Sequence, residues 1–283
     1  MSDLPAIEVK SPLNDQNTGT PAGDGLSSNA PSEASLPPAW KIRDLIAYLI
    51  FAPMSFLLVQ AVAVFGYGLL RPWLGLNLPV ELVFRSAYMV LGLQAVFLLF
   101  QFGFIYFLVV GGTRRPFWAS LRLTRPTGRL IRRSLLAGLG LALAVRFAPT
   151  LLPDKETFPL HDQFTSPGAA IAIATFAVTL APFMEELIFR GFIFAILEKT
   201  FGVTTAVVTS ATLFALSHVP EYWGAWNHVL LVSLVGLALS LTRARTGSLA
   251  SPILMHAAYN FVLITFLYFE TDGFQNLAVT LGN

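Results

Sequence analysis

Two adjacent glutamates and an arginine lie inside an apolar stretch of the chain, where ionisable residues are costly. The segment Glu-Glu-Leu-Ile-Phe-Arg occupies positions 185–190. On a helix, Glu186 and Arg190 share one face, whereas Glu185 points about 100° away from that face. We expect Glu186 and Arg190 to neutralise each other, which leaves Glu185 free to face a cavity. A free carboxylate can accept a proton from water.

Two further residue pairs, each containing a histidine, occur in apolar stretches with the i,i+4 spacing of one helix face. The first pair is Phe214 and His218, and the second is His256 and Asn260. Because helices must pack together to bury such groups, we expect the two histidines and Asn260 to converge with Glu185. Such a set contains a base that can activate water and hydrogen-bond donors that can stabilise an oxyanion.

The residues divide into candidates for catalysis and candidates for support. Glu186 with Arg190 is more readily explained as a structural ion pair than as catalytic machinery. Phe214 has a supporting role, since a phenylalanine on a helix is ordinarily a packing residue. The catalytic candidates are Glu185, His218, His256 and Asn260.

Two chemistries remain open for these residues. In the first, Glu185 and His218 activate water while His256 and Asn260 donate hydrogen bonds to the oxyanion. In the second, the two histidines and the glutamate form a catalytic zinc site with an open position. Spacing does not separate the two chemistries, because the residues lie on different helices.

Other hydrolytic mechanisms lack their residues. The chain has no cysteine, which excludes a cysteine nucleophile and thiolate metal ligands. It has no His-Glu-x-x-His helix and no Gly-x-Ser-x-Gly elbow. Ser217 adjoins His218, but we expect it to point to a different helix face. Glutamate-dependent hydrolysis is what remains.

The elements that position these residues are predicted to be membrane-spanning helices. Hydrophobic residues make up 55% of the 283 positions and charged residues 12%, about half the usual charged share of a soluble protein. Several apolar runs exceed the roughly 20 residues that cross a bilayer as a helix. We therefore predict an all-α, polytopic transmembrane bundle. Its seven predicted spans are 44–70, 86–111, 134–152, 169–197, 202–218, 228–242 and 249–269.

Charge distribution predicts the orientation of the spans. Segment 113–133 carries seven arginines and no acid, which places it in the cytoplasm by the positive-inside rule. Alternation of the spans then puts the N-terminus inside and the C-terminus outside. All five tryptophans fall at predicted span ends, as in an interfacial aromatic belt. Basic residues in short segments between apolar runs report this orientation, and we expect no nucleic-acid partner.

The chain is predicted to divide into three parts. Residues 1–39 are rich in Ser, Pro and Gly and form a disordered cytoplasmic tail. Residues 40–270 form the transmembrane domain, with a catalytic core at about 165–265. Residues 271–283 form a short C-terminal tail.

The ordered trio Glu-Glu-x-x-x-Arg, Phe-x-x-x-His and His-x-x-x-Asn on membrane helices resembles the CPBP family, the CAAX proteases and bacteriocin-processing enzymes. This family includes the type II CAAX prenyl endopeptidases, and the resemblance covers roughly 165–265. It implies that Glu185 and His218 activate the water and that His256 and Asn260 form the oxyanion site. It also implies a metal-free glutamate mechanism, with no cofactor.

The predicted function is that of an intramembrane endopeptidase acting on membrane-associated or lipidated peptides or proteins. Its partners are that substrate and the lipid bilayer, and the expected location is a bacterial inner membrane. A non-catalytic membrane scaffold of the same fold is the alternative, although it does not explain a complete Glu/His/His/Asn set. A transporter using the glutamate pair is a third class, although it has no particular need for Asn260 beside His256.

Overall fold

The chain is helical wherever the structure, a computed structural model, describes it. The described residues are 40–112, 115–148 and 164–277, all of which lie in one unit, Ser32–Asn283, and they contain no strand. The all-α prediction is therefore confirmed for these ranges. The predicted disordered tail 1–39 lies outside the described residues.

The N-terminal half contains the first five helices. They are α1 (Ile42–Leu70), α2 (Val80–Arg85), α3 (Ala87–Tyr106), α4 (Phe117–Ser120) and α5 (Gly128–Phe147). The C-terminal half contains the next six. They are α6 (Pro167–Val178), α7 (Leu180–Glu186), α8 (Phe194–Phe201), α9 (Val203–His218), α10 (Trp226–Thr246) and α11 (Ala250–Glu270). A π-helical turn, Phe107–Gly111, extends α3, and another, Leu187–Ile193, joins α7 to α8.

Five helical segments within the described ranges are long and apolar enough to cross a membrane. They are Ile42–Leu70, Ala87–Gly111, Pro167–Phe201, Trp226–Thr246 and Ala250–Glu270. The two other predicted spans are helical but do not meet this standard. Helix α9 has only 16 residues, and α5 begins with several arginines. Seven crossings and the orientation of the termini stay predictions.

A stripe of small residues lets α5 pack closely against α11. Ser134, Gly138 and Ala142 are buried at four-residue intervals along α5. The hydroxyl of Ser134 lies 2.7 Å from that of Ser251 in α11. A Cβ on Gly138 would lie 2.8 Å from the Cβ of Ala258, closer than such atoms approach in proteins. Small residues at this spacing let helix backbones approach each other inside membranes.

The arginine inside predicted span three has a partner on the neighbouring helix. Arg146, in the last turn of α5, forms an ion pair with Glu270 at the end of α11. Both side chains are about two-fifths exposed, with 41% for the arginine and 40% for the glutamate. The pair therefore joins the ends of two closely packed helices, which explains how α5 accommodates a charged residue.

The interior of the bundle is built around the segment that follows the glutamates. Every residue from Glu186 to Leu197 is buried, so this stretch has no polar face toward solvent or lipid. Apart from the paired Glu186 and Arg190 its residues are apolar, and a segment of this kind belongs inside a bundle. Trp40 packs on it, with its ring centroid 5.6 Å from that of Phe192. Trp40 is buried directly before α1, whereas the other tryptophans are exposed: Trp73, Trp118, Trp223 and Trp226. The interfacial location of all five stays a prediction.

Candidate active site

A break and a π-helical turn flank the helix that carries the two glutamates. The helix is interrupted at Thr179 (φ −114°, ψ −76°), and Pro182 in the first turn of α7 lacks the N–H of a regular helix. Glu185 and Glu186 are the last residues of α7, directly before the π-helical turn. Extra residues in such turns re-aim side chains and are frequent at functional sites. Local backbone irregularity therefore sets the direction of both carboxylates.

Glu186 and Arg190 form a fully buried ion pair. The Nη1 atom of Arg190 donates to Oε1 of Glu186 over 2.9 Å, and both side chains are 0% exposed. The same carboxylate oxygen lies 2.9 Å from Nδ1 of His256. The neutralisation expected from the i,i+4 spacing is thus present, and it extends to a histidine from α11.

Glu185 lies on the other side of the same imidazole. Its Oε2 atom is 3.9 Å from Nε2 of His256, and its side chain keeps 23% of its surface exposed. The ring of His256 therefore lies between two carboxylates, one fully buried and one partly open. With Nδ1–H donating to Glu186, the Nε2 atom of His256 faces Glu185, whose side chain is partly exposed.

The tautomer of His218 is set by its own helix. Its Nδ1 atom lies 2.8 Å from the carbonyl oxygen of Phe214, which can only accept a hydrogen bond. Nδ1 therefore carries the proton, and Nε2 is left as an acceptor. The expectation that Ser217 points away from His218 is wrong, because its hydroxyl donates to the same carbonyl and lies 3.3 Å from Nδ1.

The ring of Phe214 joins the separate parts of the site. Its centroid is 4.6 Å from that of His218 and 5.9 Å from that of His256. The guanidinium carbon of Arg190 lies 4.5 Å from the same centroid, within the range of a cation–π interaction. Phe214 is 2% exposed and thus forms the shared packing surface of both histidines and the arginine.

Asn260 reaches the helix break instead of either glutamate. Its Nδ2 atom donates to the carbonyl oxygen of Ala177 over 2.6 Å. The interruption at Thr179 frees carbonyls that a continuous helix would use. One of the two N–H groups of Asn260 is therefore engaged by the backbone, and the other is available to a second acceptor.

The turn after α9 brings two residues toward the site that the sequence analysis did not select. The N–H groups of Glu221 and Tyr222 both lie 3.1 Å from the carbonyl oxygen of His218. Burial raises the pKa of the Glu221 carboxyl and the charge of Glu185 raises it further, while His218 and a hydrogen bond from Tyr222 act in the opposite direction. The sequence feature that could have identified Glu221 and Tyr222 is their position directly after the Phe214–His218 motif.

The metal-binding alternative needs three ligands in one place. Among residues 40–112, 115–148 and 164–277, no group of three His, Asp or Glu side chains has a geometry that could hold a metal ion. His218 and His256 instead each have one ring nitrogen placed against an oxygen acceptor, from Phe214 and Glu186 respectively.

Comparison with known proteins finds a family match for the segment that contains these helices. Residues 167–262 match a family model described as Type II CAAX prenyl endopeptidase Rce1-like. The match includes all three motifs, from 185–190 to 256–260. Neither a curated protein nor a solved structure matches the chain.

The family match and the apolar helices both indicate a hydrolase that lies in a membrane. The Rce1-like family consists of CAAX proteases, which are hydrolases, and the apolar helices make the chain an integral membrane protein. The resemblance drawn from the three motifs is thereby confirmed: the segment 167–262 is similar to the Rce1-like type II CAAX prenyl endopeptidase family.

Proposed function

We propose that the protein is an intramembrane endopeptidase that hydrolyses peptide bonds of membrane-associated or lipidated substrates by a glutamate-activated water. One observation carries the proposal. Glu185 is partly open and faces Nε2 of His256 at 3.9 Å, while the buried Glu186–Arg190 pair holds the opposite side of the imidazole. Hydrolysis needs a positioned base beside a group that can stabilise developing charge, and this arrangement supplies both.

Glu185 acts as the general base in the proposed reaction. It takes a proton from water, whose oxygen attacks the carbonyl carbon of the scissile peptide bond. Nε2 of His218, an acceptor in the tautomer fixed by Phe214, assists in holding that water. The carbonyl π electrons move to oxygen and form the oxyanion. The proton held by Glu185 then passes to the leaving nitrogen as the oxyanion re-forms the carbonyl and the C–N bond breaks. This yields a carboxylic acid and an amine and returns Glu185 to its carboxylate form, after which the product acid loses its proton to the amine or to water.

His256 and Asn260 stabilise the oxyanion. Donation by Nε2 of His256 requires the imidazolium form, because Nδ1 already faces Glu186. Asn260 contributes its second N–H, while the first holds the carbonyl of Ala177. Glu186, Arg190 and Phe214 orient these groups without contacting the substrate. We propose that this chemistry needs no metal ion.

We further propose seven crossings with the N-terminus in the cytoplasm and the C-terminus on the opposite side, in a bacterial inner membrane. The arginines of segment 113–133 support this orientation. In the described part of that segment, Arg125, Arg129, Arg132 and Arg133 are all exposed.

The proposal is tested by cleavage of a library of lipidated and unlipidated membrane-tethered peptides in liposomes. Wild-type protein is compared with Glu185→Ala and His256→Ala, each with and without a strong chelator. Glu81→Gln, which changes an exposed glutamate in α2, is the matched control. Mass spectrometry of the products gives the cleaved bond and the substrate class.

Cleavage that is lost in both site variants, retained in the control and indifferent to chelator supports the proposal. Loss of cleavage with chelator would instead assign a metal-dependent reaction to the same residues. A folded wild-type protein that cleaves nothing would favour the scaffold. A transporter would move solute across the liposome membrane without cleaving peptide.

A further inference from the structure

Three residues on one face of α10 hold Arg190 from both its side chain and its backbone. The carbonyl of Gly236 accepts from Nη2 of Arg190 over 2.8 Å, and the hydroxyl of Ser240 accepts from its Nε over 3.3 Å. The Nε atom of Arg243 donates to the carbonyl oxygen of Arg190 over 3.1 Å. Their spacing of four and three residues places all three on a single helix face. We call these three residues the α10 clamp.

The backbone contact falls within the π-helical turn. Arg190 lies in the middle of that turn, Leu187–Ile193, where the regular i→i+4 hydrogen bonds of an α-helix are displaced. The bond from Arg243 therefore supports a carbonyl at the point where the helix geometry changes. Arg190 itself donates from its Nη1 atom to Glu186, which lies one turn earlier.

Arg243 is an unusual residue to retain for stability alone. It is 1% exposed, and its Nη1 and Nη2 atoms are buried without a hydrogen-bond partner. Such atoms cost free energy of folding, and the ring of Phe194, with its centroid 5.4 Å away, offsets only part of this cost. An apolar side chain of similar volume would avoid the cost. A role in holding Arg190 explains why position 243 carries an arginine.

The clamp also determines where the ring of Phe214 lies. A Cβ on residue 236 would be 3.0 Å from Cδ1 of Phe214 and 3.2 Å from the carbonyl oxygen of Ala211. A glycine at this position therefore lets the ring lie against the histidines and Arg190. Because the ring of Phe214 packs against His218, the close approach of α9 and α10 at Gly236 also helps to place His218.

We propose that the α10 clamp, Gly236, Ser240 and Arg243, positions the catalytic residues of the site. By fixing Arg190 it fixes Glu186, and through Glu186 it sets the orientation of His256 toward Glu185. The clamp residues are positioning residues, since none touches the reacting atoms. The inference rests on the proposed function for its catalytic meaning, whereas the effect of the clamp on His256 can be measured without any cleavage.

The first test compares Arg243→Met with Arg245→Met in full-length protein. Both variants remove one positive charge from α10, but Arg245 is exposed. We expect Arg243→Met to lower kcat by about 10- to 100-fold with little change in KM, since small misplacements of reacting groups have effects of this size. Its melting temperature should equal or exceed that of the wild type. Arg243→Lys keeps one donor for the carbonyl of Arg190 and should recover part of the loss.

The second test reads the histidine directly. The chain has four histidines, so nitrogen-15 labelling gives a spectrum in which His256 can be assigned by its substitution. We expect Arg243→Met and Ser240→Ala to change the nitrogen shifts of His256 and to leave those of His228 unchanged. Ser233→Ala is the matched control, because that serine bonds only within its own helix, to the carbonyl of Val229.

The outcomes separate this inference from the proposed function. If Arg243→Met and Ser240→Ala change the nitrogen shifts of His256 but the wild-type protein cleaves no peptide, the clamp is supported and the proposed protease function is overturned. Unchanged shifts together with unchanged kcat in Arg243→Met would overturn the clamp. A fall in melting temperature that accounts for the whole loss of activity would also overturn it, because Arg243 would then be structural only.

Discussion

At the scale of single residues, Glu185 and Glu186 are neighbours in the chain with very different surroundings. Glu186 is fully buried and shares one oxygen with Arg190 and His256, while the side chain of Glu185 is partly exposed. The other oxygen of Glu186, Oε2, is buried without a hydrogen-bond partner. Arg190 is therefore the paired cation of a carboxylate that solvent does not reach, which makes their interaction measurable.

Removing Arg190 should destabilise the protein more than removing both partners. We expect Arg190→Met to cost about 3–5 kcal/mol of unfolding free energy, because it leaves the Glu186 charge buried and unpaired. The double variant Glu186→Gln/Arg190→Met should cost less than Arg190→Met alone. Denaturant titration in detergent micelles measures the free energies of unfolding. A double variant whose cost equals the sum of the two single costs would contradict a buried, interacting pair.

Glu221 should make stability depend on pH in the direction set by its raised pKa. The folded state binds this proton more tightly than the unfolded state, whose carboxyl has an ordinary value of 4.5. The resulting stabilisation is complete below that value and is lost as the pH rises through the raised pKa. Glu221→Gln should therefore become more stable relative to wild type with rising pH. Because Glu221 is only partly buried, solvent screening at its exposed surface keeps the effect small.

Thermal unfolding across the weakly acidic to neutral range measures this difference. Tyr222→Phe removes a hydrogen bond that lowers the pKa of Glu221, so it should shift the transition to higher pH. A wild type that gains stability relative to Glu221→Gln as the pH rises would show that the sign is wrong.

Residue spacing predicts contacts within one helix but not between helices. The pairing of Glu186 with Arg190 follows from the i,i+4 rule, and the structure contains it. The contact of Glu186 with His256 depends on how α11 packs against α7, which no local pattern specifies. The oxyanion role of Asn260 stays a prediction, but spacing did not predict that one of its N–H groups bonds to Ala177, where the break at Thr179 frees carbonyls.

At the scale of elements, the packing of α5 against α11 supports the helix that carries His256 and Asn260. The two helices approach closely at Gly138, where a Cβ would lie 3.1 Å from the backbone nitrogen of Tyr259. The first half of the chain therefore affects the site without contributing a proposed catalytic residue to it.

Gly138→Ala should impair both stability and cleavage, whereas Gly140→Ala should impair neither. Overpacking of this kind costs about 1–3 kcal/mol, and it would displace the helix that carries His256. A Cβ on Gly140 meets nothing within 4 Å, so alanine there should only improve helix propensity. Melting temperature and peptide cleavage are measured on both variants. Equal behaviour of the two would contradict close packing of α5 on α11.

At the scale of the whole molecule, composition and apolar run length predict the helical bundle because each span must satisfy its backbone hydrogen bonds internally. The helices observed lie close to the predicted spans, with α1 at Ile42–Leu70 for a predicted 44–70. The interruptions within Pro167–Phe201 were not predicted, since a sliding apolar window reads this stretch as one continuous helix. The number of crossings depends on α5 and α9, which are respectively arginine-rich and short.

The orientation can be tested because the chain contains no cysteine that would react in the background. Arg125→Cys and Gln275→Cys introduce single thiols at exposed positions on opposite predicted sides. We expect a membrane-impermeant maleimide to label Arg125→Cys only in inverted vesicles and Gln275→Cys only in right-side-out vesicles. Labelling of both from the same side would contradict seven crossings.

The central claim is that Glu185 is the base that activates water. It is tested most directly by the single-turnover rate of cleavage of one tethered peptide in liposomes by Glu185→Gln, beside wild type and Glu81→Gln. We predict that Glu185→Gln lowers the rate by about 10²- to 10⁴-fold, the usual contribution of a general base, while Glu81→Gln leaves it unchanged. A folded Glu185→Gln that cleaves within a few-fold of the wild-type rate would contradict the claim.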